Sequence, residues 1–119
     1  MTRSEGKKLD KFWSEAIHRL SEVCMFCLEG GIRLEAAHII GRSHRTTRWG
    51  CMVDGKYDLA GMLLCHGCHR AYDQHLPEEG MIRRILIGEE RYEKLRTLSR
   101  VIAKNQSYEE IRALLTKGG

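Results

Sequence analysis

The sequence predicts an α+β domain held shut by a metal. Two Cys-x-x-Cys pairs, Cys24/Cys27 and Cys65/Cys68, stand thirty-seven residues apart. Short β-prone runs lie between them, and helical periodicity lies on either side. At 119 residues the chain is read as one domain, 1–119. A chain this short buries a modest core, so a structural metal adds stability that packing alone cannot supply.

The first element is an N-terminal helix over 9–23. Phe12, Trp13, Ala16, Ile17, Leu20 and Val23 recur at steps of three and four and make one apolar face. Asp10 falls near the predicted start, where a negative charge suits the helix dipole. A zinc-stapled core is expected over 24–76. Cys24-Met-Phe-Cys27 is its first hook, and Glu29-Gly30-Gly31 is a turn signal. Residues 32–40 have β character at both ends and suit one strand of a hairpin; residues 41–56 read as a long polar loop. Residues 59–64 are apolar and suit the returning strand, which leads into Cys65-His-Gly-Cys68. From His69 the chain can continue as a helix until Pro77. C-terminal helices are expected over 77–117. Met81, Ile82, Ile85 and Leu86 share helical spacing, Gly88 breaks the run, and 89–104 carries Tyr92, Leu95, Leu98, Val101 and Ile102 on a broad apolar face. Ser107-Tyr-Glu-Glu110 is a capping-box pattern for a last helix ending near Lys117, after which the tail should fray.

Composition narrows the function classes. Charged residues at 30% and hydrophobic ones at 42% describe a globular chain, and no stretch approaches the roughly 20 apolar residues of a membrane span. The polar N-terminus lacks the apolar core of a signal peptide. The expected compartment is the reducing cytoplasm, where paired cysteines are better read as metal ligands than as disulfides. A net charge of +4 is compatible with nucleic acid without establishing it.

Each Cys-x-x-Cys hook offers two sulfurs from one tight turn, and two hooks complete a tetrahedron around structural Zn²⁺ with bonds of about 2.3 Å. Such a site is closed and cannot itself activate water. A redox Cys-x-x-Cys usually stands alone at a helix start, and two matched pairs argue against that alternative. Cys51 is left over and reads as a free thiol.

The six histidines are too many for zinc alone. His18 reads as an ordinary helix residue and His66 as a solvent-facing one. His38 closes an apolar strand just before a basic loop. His69 follows the fourth cysteine, and Asp73 lies four residues on, on the same helix face. That pair is a natural two-ligand site for a divalent cation. It is also a common surface hydrogen bond, and spacing alone favours the latter.

Ala-Ala-His38-Ile-Ile-Gly-Arg-Ser, followed by Leu63-Leu64-Cys65-His-Gly-Cys68-His69, resembles the HNH endonucleases of the zinc-stapled, phage-associated kind. Leu86-Ile-Gly88-Glu-Glu-Arg-Tyr92-Glu-Lys-Leu95 is similar to segments that follow the motif in that family, so the resemblance covers roughly residues 24–95. It implies a ββα-metal (His-Me finger) core, flanked here by the N-terminal and C-terminal helices. It also implies a general base at His38, a catalytic Mg²⁺ or Mn²⁺ on His69 with Asp73, and hydrolysis of DNA to 5′-phosphate and 3′-hydroxyl ends. One such site cuts one strand, so a monomer nicks, while a double-strand cut takes a dimer or a partner. By the same resemblance, DNA and phage packaging proteins are the partners, and a monomer and a homodimer both remain open.

Two positions depart from the family pattern. The middle asparagine should lie nine residues before the last histidine, where this chain has Ala60; Asp58 lies two residues earlier, on the same side of a strand. The residue before the base is often a metal-binding Asp or His, and here it is Ala37, with His44 and Glu35 as candidates to fill the gap. Arg42, His44, Arg45 and Arg48 lie in a loop with no acid between 41 and 49 and are the expected DNA contacts. Trp49 reads more readily as packing than as a base-stacking group. The rivals are a non-catalytic zinc-stapled nucleic-acid-binding module and a redox or metal sensor using the thiols.

Overall fold

A two-stranded antiparallel ladder forms the middle layer of the molecule. It joins β1 (Leu34–His38) to β4 (Gly61–Cys65), in a register that pairs Leu34 with Cys65 at one end and His38 with Gly61 at the other. This computed structural model describes residues 1–103 and 106–117. The remaining elements, in chain order, are α1 (Arg3–His18) before the ladder, then α2 (Arg45–Arg48), β2 (Cys51–Val53) and β3 (Lys56–Asp58) between its strands. After it come α3 (His66–Asp73), α4 (Pro77–Met81), a π-type turn over Ile82–Ile87, α5 (Glu89–Ser99) and α6 (Tyr108–Thr116). The architecture is α+β with two small antiparallel sheets.

Side chains of a strand alternate in direction, so the ladder sorts its residues onto two faces. Leu63 packs with Leu9, Trp13 and Ile17 of α1 and with Leu115 of α6, and Leu34 and Ala36 join this group. On the other face Ala37, Met62 and Leu64 pack with Tyr72 of α3, Ile82, Ile87 and Leu95 of α5. The C-terminal region thus folds back onto the domain. Arg19 donates to the Leu115 carbonyl at 2.9 Å, tying the end of α1 to α6.

The structure corrects several expected boundaries. The first helix spans Arg3–His18 and not 9–23. Thr2 caps it: its hydroxyl accepts from the Glu5 amide, and the Glu5 carboxylate accepts from the Thr2 amide. Asp10 is therefore mid-helix and does not serve the dipole. The expected loop over 41–56 holds a short helix, α2, and the strand β2, which pairs with β3 across a turn at Asp54-Gly55, both with positive φ. The helix after the second hook begins at His66, capped by the Cys65 sulfur, and not at His69. Ile82 and Ile87 are five residues apart and both buried, and one wide turn stacks them; Ile85 between them faces solvent. The helix expected over 89–104 ends at Ser99. Ser107 caps α6 as expected, accepting from the Glu110 amide. Residue 104 of the expected helix and the tail residues 118–119 lie outside the described residues.

Candidate active site

The four cysteines converge at one end of the ladder. Their sulfurs lie within 4.8 Å of one another, and Cys27 Sγ stands 3.8 Å from Cys65 Sγ. A tetrahedron with bonds of about 2.3 Å has edges of about 3.8 Å, so the cluster fits a structural metal ion such as zinc. No disulfide forms. Both hooks use the same local turn: the Cys27 amide points at Cys24 Sγ and the Cys68 amide at Cys65 Sγ, each at 3.5 Å. Burial opposes ionisation of Cys24, yet surrounding amides more than offset it and hold this thiol at about 6. Burial and the neighbouring sulfurs push Cys68 up. The cluster therefore favours a thiolate at Cys24 and disfavours one at Cys68 until a cation shares the charge.

At the other end of the ladder, two contacts immobilise His38. Its ring lies flat on Trp13, with centroids 3.9 Å apart and planes 8° from parallel. Its Nε2 lies 3.1 Å from the Arg48 carbonyl oxygen. A carbonyl only accepts, so Nε2 carries the proton and Nδ1 of the neutral ring keeps its lone pair. Across the ladder sits Gly61, where a Cβ would run into Trp13 and Ile17. The absence of a side chain there admits the tryptophan that backs the histidine. Burial lowers the His38 pKa from its ordinary value, with the nearby Arg42 and Arg48 adding to the effect. Burial thus favours the neutral ring over the charged one.

The carbonyl that orients His38 is itself anchored. Arg48 is turned inward and bound in bidentate fashion by Asp10, at 3.0 and 2.6 Å, and Trp49 Nε1 donates to the same carboxylate at 2.8 Å. Burial alone would raise the Asp10 pKa, but these donors bring it below the usual value. The Arg48 guanidinium, expected as a phosphate contact, is engaged by Asp10. Trp49, 1% exposed, packs the loop down as its ordinary reading predicts. Arg42 is 67% exposed and reaches Asp10 only at 3.5 Å, and Arg45 lies over the outer face of Trp49.

His69 stands between two carboxylates. Its Nδ1 is 2.8 Å from Glu35 Oε1, and its Nε2 is 3.0 Å from Asp73 Oδ2. Hydrogen bonds from His69, with His66 helping, lower the Glu35 pKa. When the neutral ring donates Nδ1–H to Glu35, the Nε2 lone pair faces the Asp73 carboxylate. Two electron-rich atoms at that distance need a proton or a cation between them. The separation of about 3.0 Å is also the edge expected between neighbouring ligands of an octahedral ion with bonds near 2.1 Å. The donor set fits a cation held by two protein ligands, with Glu35 behind the ring as an orienting carboxylate. Neither Glu35 nor His44 joins as a third ligand: among the described residues, the cysteines are the one group of three or more close enough to share an ion.

His38, His69 and Asp73 line one open groove of about 710 Å³ together with Arg42, His44 and His75. The Ala60 position also resolves. Ala60 has a positive φ of 52°, and its carbonyl accepts from the Ile39 amide at 3.0 Å. Asp58, two residues earlier, ties this segment down: one oxygen accepts from the Ala60 amide, and both are held by Arg91 at 2.8 Å. His66 is 76% exposed, as expected. Sequence reasoning missed the parts of Asp10, Trp13 and Gly61, which look like ordinary helix and strand residues. It also missed Arg96 and Arg100, which line the groove from α5 and its end; their four-residue spacing on a polar helix face was the available signal.

Comparison with family models, with curated proteins and with solved structures yields no match to this chain. No helix among the described residues is long and apolar enough to cross a membrane.

Proposed function

We infer that this protein is a metal-dependent DNA endonuclease of the HNH kind that nicks one strand per active site. The observation that carries the reading is His38: an immobilised imidazole whose Nε2 is held by the Arg48 carbonyl, leaving the lone pair on Nδ1, and which lines the same groove as the His69–Asp73 pair. The order of strand, strand and helix around that groove supports a ββα-metal core, and the four sulfurs support a zinc staple.

In this reading His38 Nδ1 takes the proton of a water aligned behind a DNA phosphate. The water oxygen bonds to phosphorus as the bond to the 3′ oxygen breaks, and the leaving oxygen takes a proton from solvent, giving a 5′-phosphate and a 3′-hydroxyl. The Arg48 carbonyl holds the protonated Nε2 and keeps the ring aimed through the transfer. Mg²⁺ or Mn²⁺ on His69 and Asp73 would supply charge stabilisation at the phosphate and the leaving oxygen. Arg42, Arg96 and Arg100 provide further positive charge along the groove.

The test is nicking of supercoiled plasmid with Mg²⁺ or Mn²⁺, comparing wild type with His38→Ala at equal zinc content. The expected outcome is cation-dependent open circles that fall by about 10²–10⁴-fold in the variant. A second reading, a non-catalytic zinc-stapled nucleic-acid-binding module, draws on Ala60 and Ala37. DNA binding without cleavage by both proteins would select it and sink the nuclease.

A further inference from the structure

The positive charge of this chain is concentrated in one place. Residues 1–14 and 41–50 hold seven lysines and arginines against two acids, a surplus of five where the whole chain has four. Both acids are occupied within the fold. Glu5 closes the capping box with Thr2, and Asp10 is taken by Arg48, Trp49 and Arg42. No acid in these segments is left to neutralise the cations that face outward.

Those cations are arranged in a line. Arg3, Lys7 and Lys11 follow one another at four-residue steps on α1, with Lys8 beside them, opposite the face that buries Leu9, Trp13 and Ile17. All four are exposed, and none is in an ion pair among the described residues. Arg3, Lys7, Lys8 and Lys11 border one shallow groove. Arg3 and Lys7 also border a second groove, whose other wall is Arg42, Arg45 and Arg48. Arg42 in turn lines the groove of His38 and His69. A continuous cationic path therefore runs from the scissile site, over Arg42 and Arg45, to the exposed ridge of α1. Arg3 to Lys11 spans about 12 Å of helix, the reach of about three to four phosphates along one strand of a duplex.

We propose that this ridge of α1 is a second, sequence-independent contact for the DNA backbone, which seats the flanking duplex beyond the cleavage groove. The inference rests on the nucleic-acid substrate of the proposed function and names a contact outside its reacting residues. A periodic anion fits it better than a lone one, because the cations repeat along an axis and, among the described residues, no side chain closes over them. The two tryptophans behind the ridge are buried, so neither can stack on a base, and the ridge offers exposed cations suited to phosphate.

The experiment is fluorescence-anisotropy binding to a labelled 30-base-pair duplex, with the activating cation omitted, across a series of NaCl concentrations. Wild type is compared with the triple variant K7Q/K8Q/K11Q and with K7R/K8R/K11R, all three checked by circular dichroism melts. The slope of log K against log [salt] should fall by about 2 to 3 in the glutamine variant, since each lost phosphate contact removes roughly 0.9. It should be preserved in the arginine variant. An unchanged slope in the glutamine variant overturns the proposal. Loss of binding to phosphatidylserine vesicles in that variant, with its DNA slope intact, overturns it equally and assigns the ridge to a membrane surface. Wild-type protein that binds with the full slope but never nicks plasmid would refute the nuclease and leave the ridge standing.

Discussion

The β1–β4 ladder ends in sulfur on one side and in imidazole on the other, and the two ends are built on different principles. At the Leu34–Cys65 end, each hook carries its own geometry: two cysteines three residues apart with an amide aimed at the first sulfur of each pair. Four side chains, close enough together to hold one metal ion, complete the cluster there. At the His38–Gly61 end, nothing is local. The ring is held by a helix twenty-five residues upstream, by a carbonyl ten residues downstream and by the absence of a side chain across the ladder. Asp10 then anchors the carbonyl's own residue from α1. A metal hook is specified by spacing, whereas the setting of His38 is specified by everything packed around it.

Removing the first end should have the largest effect. Cys24→Ser takes a fully buried ligand from the cluster. Structural zinc in small domains contributes on the order of 10 kcal/mol or more to folding. The variant should lose its bound zinc by elemental analysis and its cooperative thermal transition by circular dichroism. A variant that melts like wild type without metal would show that the hydrophobic layers suffice.

The second end should break more gently. Gly61→Ala forces a methyl group against Trp13 and Ile17 and should cost roughly 1–3 kcal/mol of stability by denaturant titration. Zinc content should stay intact, because the clash lies at the far end of the ladder. Any nicking activity should fall further than the stability loss explains, since Trp13 is displaced from the His38 ring.

Asp10→Asn probes the longest link. It weakens the grip on Arg48 without touching His38, and the Arg48 carbonyl should lose its fixed position. Nicking should drop by about 10- to 10²-fold, as small misplacements at a reacting centre do, while the melting temperature moves little. An undiminished rate would mean that α2 holds the carbonyl unaided.

The smallest effect is the dependence on pH. Burial lowers the pKa of His38 in the folded protein, so the unfolded chain binds its proton at a higher pH than the native state does. Stability is therefore full above the unfolded value near 6.5 and declines as pH falls from there through the lower native value. Denaturant melts between pH 7.5 and 5 should show that decline, reduced in His38→Ala. With His38 as the proposed base, the nicking rate should rise with pH through the same window and level off by about pH 6.5, because only the neutral ring can take a proton.

The cysteine cluster, the hairpin that joins it to His38 and the helix bearing His69 and Asp73 were legible in the sequence because each is written in short spacing: three residues within a hook, two along a strand, four along a helix. Helix ends were less legible. Thr2 and Glu5 start α1 well before the apolar face that suggested it, and the 41–56 segment hides β2 because Cys51–Val53 is three residues long. The sequence by itself determined which side chains could bind metal and which could take a proton. Only the tertiary structure decided that Arg48 turns inward to Asp10 and offers its carbonyl, that Asp58 belongs to Arg91, that Glu35 stands behind His69, and that Trp13 fills the space Gly61 leaves. Those choices depend on contacts between residues dozens of positions apart, whose energies exist only once the two faces of the ladder are packed, so no local pattern carries them.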